Sequence, residues 1–278
     1  MTSRSGWASH LALGVLLVGV GAAGAVGMHR ISYRLPTTDG QMPTTHGEWV
    51  WIKRATDSLR LYVAYPERRD KAPTMIVIHE IFGLTAWEPT VADRLAAQGF
   101  IAAVPDLLSP RFGKTPELAT PELSADSGRK LIAQLAPDAV TADLDAVAKY
   151  LDELPAARKG DQGVIGFCWG GGQSFRYATN NPKLKAAVVC YGPPPDSAAM
   201  GRIQARVKGV YGESDARIGA TLPMVDSTMR RLGKRFEQTT YPGTGHGFLK
   251  PGRQGSDGPQ VEKAWTDIVG FLRETLGK

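Results

Sequence analysis

Cysteine is scarce in this sequence: 278 residues contain two, Cys168 and Cys190. Two thiols do not make a disulfide framework. Neither has a second Cys or a His two to four residues away, so the usual zinc spacing is missing. A basic cluster is also lacking. The net charge is +6, but Lys and Arg are scattered, which argues against a nucleic-acid binder, whose basic residues gather into a stripe. A local positive potential for an anionic substrate stays open. Internal repeats are absent. One long apolar run exists, and it lies at the start of the chain.

That run is Leu11 to Gly27, LALGVLLVGVGAAGAVG. Before it stand Arg4 and no acid, and within it Ala23-Gly24-Ala25 offers a small-x-small cleavage site. The pattern is that of a secretory signal. The run is slightly short of the ~20 residues of a spanning helix, so residues 1–27 read as a signal peptide or an N-terminal membrane anchor. The expected location is exported (periplasmic or secreted) or membrane-anchored. A twin-arginine pair is missing before the run, which favours the general export route. Residues 28–47, polar and rich in Thr, Gly and Pro, read as a linker. Residues 48–278 then suffice for one sizeable domain and not for two.

The domain alternates strand and helix patterns. Glu48–Arg54 and Leu59–Pro66 read as antiparallel strands. Met75–Ile78 is apolar throughout, like a strand buried on both faces. A helix is expected over Trp87–Gln98, ended by Gly99, then a strand over Phe100–Val104 stopped by Pro105. Residues 108–123 read as a long loop. Helices follow at about 124–135 and 138–153, then a strand at Gly163–Phe167 and a helix at Trp169–Asn180. Further strands are expected at Ala186–Cys190, Ala205–Tyr211 and Phe236–Tyr241, with helices at 217–233 and 259–275. Such alternation implies an α/β fold: a mostly parallel sheet of about eight strands flanked by helices.

Gly166-Phe167-Cys168-Trp169-Gly170-Gly171 joins an apolar strand to a helix. That is the setting of a nucleophile elbow, whose tight turn excludes side-chain bulk two residues before and after the nucleophile. Cys168 would stand at a helix N-terminus, where the dipole favours a thiolate. The Trp169 N–H would supply half of an oxyanion hole. His246 lies in the Gly-rich segment Tyr241–Phe248, after the last strand. Asp215 follows the strand before it, with Glu213 as a rival acid. Nucleophile, acid, histidine is the chain order of an α/β-hydrolase. His246 would take the thiol proton and Asp215 would orient its ring.

With these motifs in place, the sequence resembles the dienelactone hydrolases (carboxymethylenebutenolidases), from about Pro73 to the C-terminus. The marks are His79-Glu80-Ile81-Phe82-Gly83, Pro105-Asp106-Leu107, the Cys168 elbow, the Asp215 turn and Gly245-His246-Gly247-Phe248. The resemblance implies a triad of Cys168, His246 and Asp215, with Glu80 near the resting thiol to help deprotonate it, and Ile81 N–H as the second oxyanion donor. Relatives that process dienelactone hold the substrate carboxylate with arginines. One such position, four residues after the histidine, is Lys250 here, which lacks the bidentate fork of Arg. The other falls in the region of Arg129, and Arg217 is a further candidate cation. Phe82, Trp87, Trp169, Tyr191 and Phe248 either line an apolar acyl pocket or pack the core. Cys190 reads as a small core residue, with both cysteines remaining thiols. Trp49, Trp51 and Tyr62 read as packing of the first hairpin.

The expected function is hydrolysis of a small lactone or ester through an acyl-enzyme on Cys168. The alternatives are another small carboxylic-ester or thioester hydrolase, or a non-catalytic binding protein on the same scaffold. The expected partner is the small-molecule substrate, with no nucleic acid, and the protein is expected to be a monomer. Acyl transfer needs no metal or organic cofactor, and none is expected.

Overall fold

Runs such as Met75–Ile78 and Ala186–Cys190 are apolar at every position because the strands they form are covered on both faces. The structure, a computed structural model, describes residues 45–54, 57–112 and 124–277. Along the chain these form β1 (Thr45–Lys53), β2 (Ser58–Pro66), β3 (Ala72–Ile78), α1 (Trp87–Ala97), β4 (Ile101–Asp106), α2 (Ala125–Ile132), α3 (Pro137–Glu153), β5 (Ala157–Phe167) and α4 (Trp169–Asn180). They continue with β6 (Ala186–Cys190), β7 (Arg206–Gly212), α5 (Ala216–Gly219), α6 (Leu222–Arg231), β8 (Phe236–Tyr241) and α7 (Pro259–Leu276). The strands make one eight-stranded sheet in the order β1-β2-β4-β3-β5-β6-β7-β8. Only the β1–β2 and β2–β4 pairings are antiparallel; from β4 to β8 all are parallel.

Alternation along each central strand divides the core. Ile76, Ile78, Val164, Ala187 and Val189 pack on one face with Val140, Leu144 and Leu151 of α3, Phe175 of α4 and Met229 of α6. Met75, Val77, Ile165, Phe167, Val188 and Cys190 pack on the other with Val91 and Leu95 of α1 and Trp265, Ile268 and Leu272 of α7. Burying each such side chain contributes about 1.5–3 kcal/mol before entropy is set against it. With both faces covered, chemistry is left to the rim where the parallel strands end.

Several boundaries differ from the sequence-based expectation. β1 opens at Thr45, inside the segment read as a linker. β4 runs through Pro105 to Asp106. The proline is tolerated because the β3 pairing has ended at Ala103, and only β2 continues alongside. β5 begins six residues before Gly163; its polar start carries an Arg158–Asp161 ion pair and so hides from an apolar-run criterion. The helix expected over 217–233 is two, because Pro223 sits in the first turn of α6 and could not sit inside a continuous helix. The first hairpin packs as expected: the Trp49 and Tyr62 rings lie 5.2 Å apart, with Arg60 3.8 Å over Trp49.

The signal or anchor reading of residues 1–27 and most of the 28–47 linker lie outside the described residues, as does 113–123 of the expected long loop. Among the described residues no helix is long and apolar enough to cross a membrane.

Candidate active site

Cys168 stands between β5 and α4 with φ 54° and ψ −113°, a conformation that costs a non-glycine residue energy and needs surrounding structure to hold it. The hold is visible. A Cβ on Gly166 would lie 1.9 Å from the Gly170 carbonyl oxygen, and one on Gly170 would lie 2.3 Å from the His79 carbonyl oxygen. The Cys168 N–H donates to the Cys190 carbonyl at 3.0 Å, pinning the elbow to β6. Burial pushes the Cys168 thiol pKa up and the Glu80 charge pushes it further; the Trp169 N–H, Arg217 and Arg253 act in the opposite direction. Cys190 is fully buried, and both cysteines are free thiols.

Asp215 caps α5, its Oδ1 accepting the Ile218 N–H at 3.3 Å. Its Oδ2 lies 2.5 Å from His246 Nδ1, so Nδ1 carries the shared proton and Nε2 is left for chemistry. The β7 and β8 loops meet closely: a Cβ on Gly212 would lie 2.4 Å from the Gly245 carbonyl oxygen, and the Ser214 N–H donates to the Thr244 carbonyl at 2.9 Å. Glu213, the rival acid, instead accepts the Gly243 N–H at 3.0 Å. Tyr191 packs its ring edge-on to His246 at 5.2 Å. It is fully buried with φ 41° and a hydroxyl that has no hydrogen-bond partner among the described residues.

The segment after β3 brings a second set. Glu80 is buried, and Lys250 Nζ donates to its Oε2 at 3.0 Å. Lys250 also reaches Thr85 Oγ1 at 3.5 Å and lies 3.9 Å from the fully buried Glu88. The cation expected to face a substrate carboxylate is thus held between two acids. Around the Phe82 ring stand three cations, with Arg129 at 5.1 Å, Lys250 at 5.7 Å and Arg253 at 5.8 Å. Helix α2 is pressed against this turn: a Cβ on Gly128 would lie 2.2 Å from the Phe82 carbonyl oxygen.

His79, directly before Glu80, is fully buried; its Nδ1 donates to the Glu80 carbonyl at 2.8 Å and its ring stacks on Trp169 at 5.6 Å. Sequence reasoning gave no role to His79, Glu88 or Arg253. Arg253 is one of many scattered basic residues, and the burial of His79 and Glu88 is set by tertiary packing. No group of three or more His, Cys, Asp or Glu among the described residues could hold a metal ion. The arrangement combines a strained, dipole-facing thiol, a carboxylate-oriented imidazole and a cationic rim.

Comparison with known proteins points to one family. The family model described as "Dienelactone hydrolase family" matches residues 59–276. A provisionally named carboxymethylenebutenolidase of Salmonella typhimurium is 32% identical over 241 residues, 80% of this chain and 85% of that protein. Another, from Methylorubrum extorquens, is 31% identical over 227 residues, 77% of this chain and 76% of that protein. A crystal structure from Klebsiella pneumoniae, provisionally titled a dienelactone hydrolase, superposes with a TM-score of 0.71 at 26% identity, covering 82% of this chain and 98% of that one. A dienelactone hydrolase-like promiscuous phosphotriesterase from metagenomic libraries shares the fold, with a TM-score of 0.70 at 21% identity over 84% of this chain and 99% of that one.

Proposed function

The chain belongs to the dienelactone hydrolase family, and from that premise we propose that it hydrolyses a small lactone or ester by attack of the Cys168 thiolate, with His246 as acid and base and Asp215 orienting the imidazole. The observation that carries this reading is the 2.5 Å His246–Asp215 contact, made between the loops after β7 and β8, at the same end of the sheet as an elbow bearing a strained cysteine.

In the first half-reaction the thiol proton passes to His246, or to Glu80. The sulfur bonds to the carbonyl carbon, and the carbonyl electron pair moves onto oxygen, where the Ile81 and Trp169 N–H groups receive it. The pair returns, the C–O bond breaks, and the leaving oxygen takes the proton. In a lactone the leaving oxygen stays attached, so the acyl-enzyme carries its own alcohol or enol. Water then gives a proton to His246 and attacks the thioester, and the C–S bond breaks to restore the thiol. Glu80, beside the thiol and bound to Lys250, supports thiol deprotonation; the lysine keeps the acid anchored when a negative sulfur or oxyanion makes its proximity unfavourable.

The favoured substrate is anionic. Arg129 and Arg253 flank Phe82, Arg217 acts on the thiol, and Lys250 is already engaged by Glu80, which leaves the arginines to meet a substrate carboxylate. Phe82 and Tyr191 would then supply the apolar contacts. A second reading, a small ester or thioester hydrolase, rests on that engagement of Lys250. The N-terminal segment adds export or membrane attachment, which sequencing the N-terminus of the protein recovered from each cell fraction checks.

The deciding experiment measures hydrolysis of cis-dienelactone and p-nitrophenyl acetate by the purified chain and by Cys168→Ala. Lactone turnover lost on substitution supports the whole reading. Cleavage of the aryl ester alone keeps the nucleophile and removes the lactone. Equal inertness of both proteins towards both substrates leaves a binding protein on this scaffold.

A further inference from the structure

We infer that His79 is a positioning residue for the oxyanion hole: its Nδ1–H grips the Glu80 carbonyl and so fixes the Glu80–Ile81 peptide, whose N–H on the opposite edge meets the developing oxyanion. The inference rests on the hydrolase reading above.

A carbonyl oxygen only accepts, so the 2.8 Å contact makes His79 Nδ1 the donor. The described peptides include no cis bond, so the Ile81 N–H points away from the carbonyl that His79 holds. The same carbonyl also accepts the Gly83 N–H at 3.3 Å, the longer of the two bonds. A hydrogen bond to the oxygen of an amide also polarises its N–H, making that group a better donor.

His79 touches the other half of the hole as well. Its ring lies 15° from parallel to Trp169, the residue whose N–H is the first donor. Its own carbonyl blocks any side chain at Gly170. Packing alone does not account for a histidine here. Nε2 is buried without a hydrogen-bond partner among the described residues, a cost that an apolar ring of similar size would avoid. Burial lowers the His79 pKa, outweighing the opposing pull of Asp106 and Glu80, which keeps the ring in the neutral form with a single N–H.

The test separates oxyanion stabilisation from thiol reactivity. Alkylation of Cys168 by iodoacetamide displaces iodide from carbon and develops no oxyanion; p-nitrophenyl acetate hydrolysis does. His79→Phe keeps a ring against Trp169 and removes the donor. His79→Asn keeps a donor near the Nδ1 position and removes the ring. His79→Phe should lower kcat at least ~30-fold with KM little changed, somewhat below the loss of a direct oxyanion donor, while His79→Asn should stay within about 5-fold. Alkylation rates should match wild type in both. Unchanged kcat in His79→Phe overturns the role. So does a parallel loss of kcat and alkylation, which marks a collapsed elbow, or an Asn variant no better than Phe. If His79→Phe does not fold, His79→Gln takes its place with the same expectation, since its amide lies beyond Nδ1. A wild type that alkylates at Cys168 but turns over neither ester nor lactone removes the hydrolase reading and this role together; an active wild type with an equally active His79→Phe removes this role alone.

Discussion

Lys250 Nζ lies 3.0 Å from Glu80 Oε2 and 3.9 Å from Glu88 Oε1, so one partly buried cation serves two buried acids. Removing it takes from two buried carboxylates the ion-pair partner they share. Lys250→Met should destabilise the protein by about 3 kcal/mol, the scale of breaking a buried ion pair. Adding Glu80→Gln should recover part of that loss, because the two side chains share one interaction. Urea denaturation of the two single variants and the double variant checks the coupling.

The Cys168 thiol titrates above its ordinary 9.0, through burial first and the Glu80 charge second. Its alkylation rate should therefore still be rising through pH 9. Glu80→Gln removes the like charge and should shift the profile to lower pH; Arg253→Ala should shift it to higher pH. Since the folded thiol holds its proton more tightly than an unfolded one, its contribution to stability is present below pH 9 and fades as the pH climbs through the folded value. Iodoacetamide rates between pH 6 and 10.5 read out the profile.

Asp215 and Glu213 stand two residues apart with different partners, one on His246 and the other on the Gly243 backbone. Asp215→Asn should lower kcat by about 10²–10⁴, since the imidazole loses its orientation and the charge opposite its proton. Glu213→Gln should change kcat less than about 3-fold, because the amide oxygen can still accept the exposed Gly243 N–H and the imidazole keeps its own carboxylate. Steady-state rates of aryl ester hydrolysis separate the two.

Tyr191 buries a hydroxyl with no hydrogen-bond partner among the described residues. Tyr191→Phe removes that group and keeps the ring on His246, so stability should hold or rise by about 1 kcal/mol. A drop in Tm would mean that the hydroxyl has an important partner in the folded protein.

The fold was legible where periodicity was strong. Ile76–Ile78 and Ala186–Cys190 are strands because apolar side chains fill both faces, and Gly166 and Gly170 mark the elbow because its turn has no room for a Cβ. The order Cys168, Asp215, His246 was legible for the same reason: each follows a strand. What sequence could not show was which charges meet. Lys250 read as a substrate cation and is found between two acids. Arg253 is 85 residues from Cys168 along the chain and acts on its thiol. His79 read as part of a motif and carries a buried hydrogen bond to the next peptide. Pairings of this kind depend on loop paths at the sheet rim, where no repeating pattern constrains the chain.

The parallel strands also separate two ends of the molecule. Cys168, Asp215 and His246 follow the C-terminal ends of β5, β7 and β8, whereas the turn from α6 into β8 is at the opposite end. There Gly233 has φ 63°, and a Cβ built on it meets nothing within 4 Å. This turn is a natural place to attach the protein to a solid support or to splice in a reporter peptide, since an object fixed there would leave the mouth of the candidate site facing the bulk solution.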